Sequence, residues 1–171
     1  GLGDVYKRQM ENRITEQASA YDDLQRMSVH DILTGINRED ARVHEAVRRT
    51  IPVMELLVER IVGRMQRGGR MFYIGAGTSG RLGVTDASEL PPTYGVPFDR
   101  VIGLIAGGDG ALRRAVEHAE DDTEGAWRDM APYHPTAGDV LIGMQLKAVA
   151  VPVRVLQKTI GDAHVVCART R

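Results

Sequence analysis

The chain has 171 residues, 43% of them hydrophobic, a formal net charge of -1 and one cysteine, Cys167. That length supports one domain with a real core. The near-zero charge excludes general attraction to nucleic acid or an anionic membrane. A single cysteine excludes an intrachain disulfide framework and fits a reducing cytoplasm.

Residues 1–9 precede Met10 without clear periodicity and read as a leader or artefact. No apolar stretch follows Lys7 and Arg8, so no signal peptide is expected. The most apolar stretch, 51–62, carries Glu55, Glu59 and Arg60 and is too short and too charged to span a bilayer. Residues 10–69 form a helical segment. Ser28-Val-His-Asp31 has the spacing of a capping box and predicts a short helix to about Ile36. A second helix is expected over 37–66. There Val43, Val47, Ile51, Met54, Leu57, Ile61 and Met65 recur every three or four residues as one apolar stripe. Pro52 can kink or divide it, and Gly68-Gly69 supplies the stop.

From Arg70 the pattern alternates. Residues 71–74 read as a buried strand running into Gly75-Ala-Gly-Thr-Ser-Gly-Arg81. A helix follows that should end before Pro91-Pro92. Residues 101–105 predict a second strand. Asp109 can cap a helix reaching about Met130, with Leu112, Val116 and Ala119 inward. Residues 140–142 predict a third strand. Strands alternating with helices give an α/β fold with a parallel sheet. Residues 144–171 carry no clear assignment, because Pro152 argues against a central strand in the valine-rich stretch.

Ligands of such sheets bind at the carboxyl ends of the strands, where the glycine loop lies. Glycines let backbone approach a ligand, and free amides at the next helix start attract an anion. Thr78 and Ser79 add hydroxyls and Arg81 a charge, which suits a phosphate. Two other readings of Gly75-Ala-Gly-Thr-Ser-Gly80 stand beside this one. A dinucleotide site wants an acidic residue at the end of the second strand, where Ala106-Gly107-Gly108 stands instead. A purely structural turn needs no ligand at all.

Glu89 precedes Pro91-Pro92, where a carboxylate opposes the helix dipole and could exchange protons; a solvated helix end is the simpler account. Glu117, Glu120, Asp121, Asp122 and Glu124 form an acidic run, which by itself reads as a solvated face. The five histidines lack metal-ligand spacing.

Several motifs in order resemble N-acetylmuramic acid 6-phosphate etherases: residues 74–83, Asp86-Ala-Ser-Glu89, Pro91-Pro-Thr-Tyr-Gly95, residues 103–108 and Ala119-Glu-Asp121. The lead-in is similar too, at Ile14-Thr-Glu16, Ile36-Asn37 and Glu39-Asp40. The resemblance covers about residues 14–143. It implies a sugar isomerase (SIS) domain, flavodoxin-like and here partial over 70–143, that binds a sugar phosphate. It implies a carbon–oxygen lyase that splits a lactyl ether without metal or cofactor and acts as a cytoplasmic homodimer. By position it implies Glu89 and Glu120 as the catalytic pair. Gly75, Gly77, Thr78, Ser79, Gly80 and Arg81 would hold the substrate. A SIS domain that binds a sugar phosphate to regulate a partner is the alternative. Leu90 and His118 replace residues often Cys and Gly in that family. After Gly143 the chain departs from the pattern, reading as a truncated or frame-shifted copy with an atypical tail over 144–171.

Overall fold

A computed structural model describes residues 19–122, 124–144 and 164–167. The chain divides into two units, one ending at Met54 and the other beginning at Glu55.

In the first unit a 3-10 turn, Leu24–Arg26, precedes α1, Val29–Gln66, whose last residues belong to the second unit. Ser28 opens this helix as expected. Its hydroxyl oxygen accepts the Asp31 amide at 3.1 Å and donates to the Asp31 carboxylate at 2.6 Å. The helix does not stop near Ile36, and it is unbroken at Pro52. Pro52 removes one helical donor, which a helix of 38 residues tolerates. Gly35 is the buried residue of α1, covered by the Tyr21 ring. The Tyr21 hydroxyl donates to Glu39 at 3.0 Å. The apolar stripe is only partly used. Val43, Val47, Ile51 and Met54 are exposed, whereas Ile61 and Met65 pack on the core of the second unit.

The second unit holds a four-stranded parallel sheet. Its strands are β1 (Met71–Gly75), β2 (Val101–Ile105), β3 (Val140–Met144) and β4 (His164–Cys167), in the order β2-β1-β3-β4. The three expected strands are therefore adjacent and parallel, in the order of a flavodoxin-like sheet. β4 lies in the stretch for which the sequence offered no element; it pairs with β3 from Val140↔His164 to Gly143↔Cys167. The valine-rich stretch around Pro152 lies outside the described residues.

Alternation along the strands sorts the core into two faces. Phe72, Ile102 and Leu141 pack with Met130 and Trp127 of α3, Gly125–Met130. Met71, Val101 and Val140 pack on the other face, with Ala87 and Leu90 of α2, Gly77–Tyr94. Cover on both faces explains why β1 reads as an unbroken apolar run.

Two helix expectations fail. α2 does not end before Pro91-Pro92 but includes both, closing at Gly95, whose φ is 67° and whose amide donates to the Pro91 carbonyl at 2.9 Å. The prolines remove helical donors one turn from the end, where few bonds remain to lose. The helix expected over 109–130 is three pieces: 3-10 turns at Asp109–Leu112 and Ala119–Asp121, then α3. Gly108, not Asp109, caps the first turn, and Ala111, not Leu112 or Val116, is buried. His118 breaks any continuous helix with φ 62°, and the Asp122 carboxylate accepts the Glu124 and Gly125 amides to start α3 anew.

Candidate functional site

The loop after β1 owes its shape to close packing. Gly75 and Gly80 are buried, and a Cβ on Gly80 would lie 2.7 Å from the Gly75 carbonyl oxygen. One on Gly75 would lie 2.6 Å from the Met144 carbonyl oxygen. The Gly75 carbonyl accepts the Ala106 amide at 2.9 Å, tying this loop to the one after β2. Gly83 and Gly103 let α2 sit directly on the sheet, with Gly103 open to Val84 and Gly83 to Tyr73.

Gly77 differs from these two. It is exposed, has φ 54° and begins α2 with nothing within 4 Å of its missing Cβ. The first turn of α2 carries no acidic residue, and its leading amides have no partner within the helix. That end carries the positive pole of the helix. Thr78 is exposed and Ser79 half-buried, and among the described residues neither hydroxyl has a hydrogen-bond partner.

Beside this helix start lies a cleft of about 150 Å³. Ala76, Gly77 and Arg81 form one wall; Ala106, Ala111, Ala115, Val116, Glu117 and Ala119 form the other. Arg81 donates from Nε to the Leu112 carbonyl at 3.2 Å, which ties α2 to the turn Asp109–Leu112. The cleft lies between the ends of β1 and β2. The switch point of this strand order, where chain direction across the sheet reverses, is instead between β1 and β3.

The two glutamates expected to act together are placed differently. Glu120 belongs to the turn Ala119–Asp121, whose first residue lines the cleft. Glu89 is exposed on α2, three turns beyond Gly77, roughly 18 Å along the axis at 1.5 Å per residue. It stands five residues before the end of α2, not in the last turn. Asp86, one turn earlier, engages Tyr73. Burial pushes the Tyr73 hydroxyl up to about 12, and the hydrogen bond with Asp86 adds to that rise.

Glu117 lines the cleft although sequence reasoning gave it no role. The acidic run masked it, since nothing in a string of carboxylates says which one borders a cleft. Among the described residues, no group of three His, Cys, Asp or Glu could hold a metal ion. Among them, too, no helix is long and apolar enough to cross a membrane.

Comparison with known proteins agrees with this architecture. The chain is 59% identical over 135 residues to the N-acetylmuramic acid 6-phosphate etherase of Porphyromonas gingivalis, covering 79% of this chain and 49% of the relative. It is 56% identical over 132 residues to that of Bacteroides thetaiotaomicron, covering 77% and 48%. It is 51% identical over 122 residues to that of Caldanaerobacter subterraneus, covering 71% and 40%. The chain thus spans about half the length, or less, of these curated relatives. Residues 53–153 match the glucokinase regulatory protein N-terminal SIS domain family. With its parallel sheet and glycine loop, the chain belongs to this SIS domain family.

Proposed function

We propose that the chain is the glycine-loop part of an N-acetylmuramic acid 6-phosphate etherase, a carbon–oxygen lyase. The observation that carries this is the open start of α2, where unpartnered hydroxyls of Thr78 and Ser79 stand beside the Arg81 cleft. The identity of 51–59% to proteins of that name supports it. The 6-phosphate sits on the Gly77–Ser79 amides and hydroxyls, with Arg81 neutralising charge.

The reaction is a β-elimination on the open-chain sugar. The C1 aldehyde acidifies the C2 proton. One carboxylate takes that proton while the C3–O bond to the lactyl group breaks, and an acid protonates the departing ether oxygen. Water then adds at C3, giving D-lactate and N-acetylglucosamine 6-phosphate. Glu89 and Glu120 supply the base and the acid, and no metal or cofactor takes part.

The length of α2 places Glu89 away from its own loop. We infer that the working protein is a cytoplasmic homodimer, in which Glu89 of one copy serves the cleft of the other. A cleft of about 150 Å³ is also below the 300–1,000 Å³ usual for a small-molecule site, consistent with walls supplied from elsewhere.

The second reading, a sugar-phosphate-binding regulatory domain, is favoured by the family match at 53–153. D-lactate release from N-acetylmuramate 6-phosphate by a full-length version separates the two. Release supports the etherase. Tight binding of N-acetylglucosamine 6-phosphate without release supports the regulator. Absence of both release and binding overturns the phosphate reading.

A further inference from the structure

Two opposite charges line the cleft beside α2, and they do not meet. Arg81 and Glu117 stand on its two walls, and no ion pair within 4.0 Å joins them. Among the described residues Arg81 has no carboxylate partner; its recorded side-chain bond is the neutral one from Nε to Leu112. The rest of the lining is alanine, valine and glycine. Small apolar walls around two separated charges leave room for a ligand that is anionic at one end and rich in donors at the other.

Resting on the phosphate reading above, we propose that Glu117 is the sugar-recognising group of this cleft, accepting hydrogen bonds from hydroxyl or amide donors of a phosphorylated hexosamine. Chemistry fixes the direction. A carboxylate is an acceptor only, so it cannot favour the phosphate and repels it. Donors of a sugar ring answer it, and charge-assisted bonds to them are strong. Glu117 therefore distinguishes a sugar phosphate from phosphate alone, whereas Arg81 and the helix start serve both. Polar groups that pair with a ligand's donors are also the most effective specificity devices, because an analogue lacking those donors leaves them unpaired. The flanking Val116 and Ala115 hold this wall with side chains that offer no competing bond. Glu117 acts here in binding and selection; it need not exchange a proton.

The test titrates the 171-residue chain with N-acetylglucosamine 6-phosphate and, separately, with inorganic phosphate, by calorimetry. Glu117→Gln and Glu117→Ala are compared with the parent. Glu117 is exposed, so both variants keep the fold, which circular dichroism checks. The sugar phosphate should bind about 10- to 100-fold more weakly to Glu117→Ala, with Glu117→Gln intermediate. Inorganic phosphate should bind both variants as well as the parent, or better. Equal weakening of the two probes, or none, overturns the assignment to Glu117 and leaves the phosphate site intact. Failure of the parent to bind either probe overturns the site itself. A full-length version adds a second readout: the Glu117 variants should raise KM for the sugar phosphate with kcat little changed, and a loss confined to kcat overturns the recognition role.

Discussion

Arg70 and Asp139 lock together at the amino edge of the sheet, opposite the cleft. One Asp139 oxygen accepts the Arg70 amide at 2.7 Å and Arg70 Nε at 3.2 Å. The other accepts Arg70 Nη2 at 2.9 Å and the Thr136 amide at 2.8 Å. The guanidinium also donates to the Tyr133 and His134 carbonyls and lies 5.2 Å from the centre of the Phe72 ring. Asp139 is 5% exposed, so its charge depends on these donors. Because Arg70 immediately precedes β1 and Asp139 immediately precedes β3, the pair sets the start of two neighbouring strands.

Removing one partner should be costly. Asp139→Asn leaves the half-buried Arg70 guanidinium without its carboxylate and should lower stability by about 3 kcal/mol. Urea unfolding of the parent and variant measures this. Phosphate binding, at the opposite edge, should be unchanged while the protein is folded.

Acid should loosen the same lock. Burial alone would push Asp139 up, but hydrogen bonds from Arg70 and Thr136 outweigh it and hold the carboxyl below its ordinary value. A depressed folded value means the stabilisation is complete above the unfolded value of about 4 and lost as pH falls through the lower folded value. Unfolding free energy measured from pH 6 downward should therefore fall below about pH 4, and Asp139→Asn should flatten that fall.

Glycines of one motif should respond in opposite ways. Gly80→Ala forces a Cβ to 2.7 Å from a backbone oxygen and should cost about 3 kcal/mol or more. Gly77→Ala meets nothing and carries only the left-handed penalty of about 1–2 kcal/mol. Chemical denaturation ranks the two, and similar losses at both would contradict the packing described.

At His118 the backbone itself asks for glycine. Its φ of 62° is left-handed, and its imidazole is exposed. His118→Gly should raise stability by roughly 0.5–1 kcal/mol, the relief of strain minus the added freedom of the unfolded chain. A shift in thermal midpoint reads the sign directly.

In a full-length version, Glu89→Gln should cut D-lactate release by ~10²–10⁴-fold while leaving sugar-phosphate binding nearly intact, since the amide keeps shape but exchanges no proton. Glu120→Gln should do comparable damage. Mixing Glu89→Gln subunits with Glu120→Gln subunits should restore part of the activity if the two glutamates meet across a dimer. No recovery, with mixed dimers demonstrated, argues that each copy uses its own pair.

What the sequence revealed depended on how local the signal was. The apolar runs at 71–74, 101–105 and 140–142 needed no partner to be read, because strands covered on both faces are uniformly apolar. Ser28 was equally legible, since a cap acts over three residues. The region 109–130 misled, for apolar spacing there resembled a helix, while a left-handed His118 and an amide-accepting Asp122 broke it. The stripe from Val43 to Met54 has helical period but is exposed among the described residues, and period alone does not say what covers a face. The glycine loop was found from its spacing, yet that spacing serves two ends. Gly75 and Gly80 answer to packing, and Gly77 to the open helix start. Glu117 was hidden among its neighbours, because lining a cleft is a tertiary property.

The close contact between Gly75 and Gly80 has a thermodynamic consequence. A loop fixed by carbonyl-to-glycine packing and by the Ala106 amide has its shape before any anion arrives. Little chain entropy is left to lose when one docks, so affinity need not be spent on ordering the seat. Phosphate should then shift the unfolding midpoint by mass action while the denaturant slope stays the same, the response of a rigid receptor rather than of one that folds around its guest.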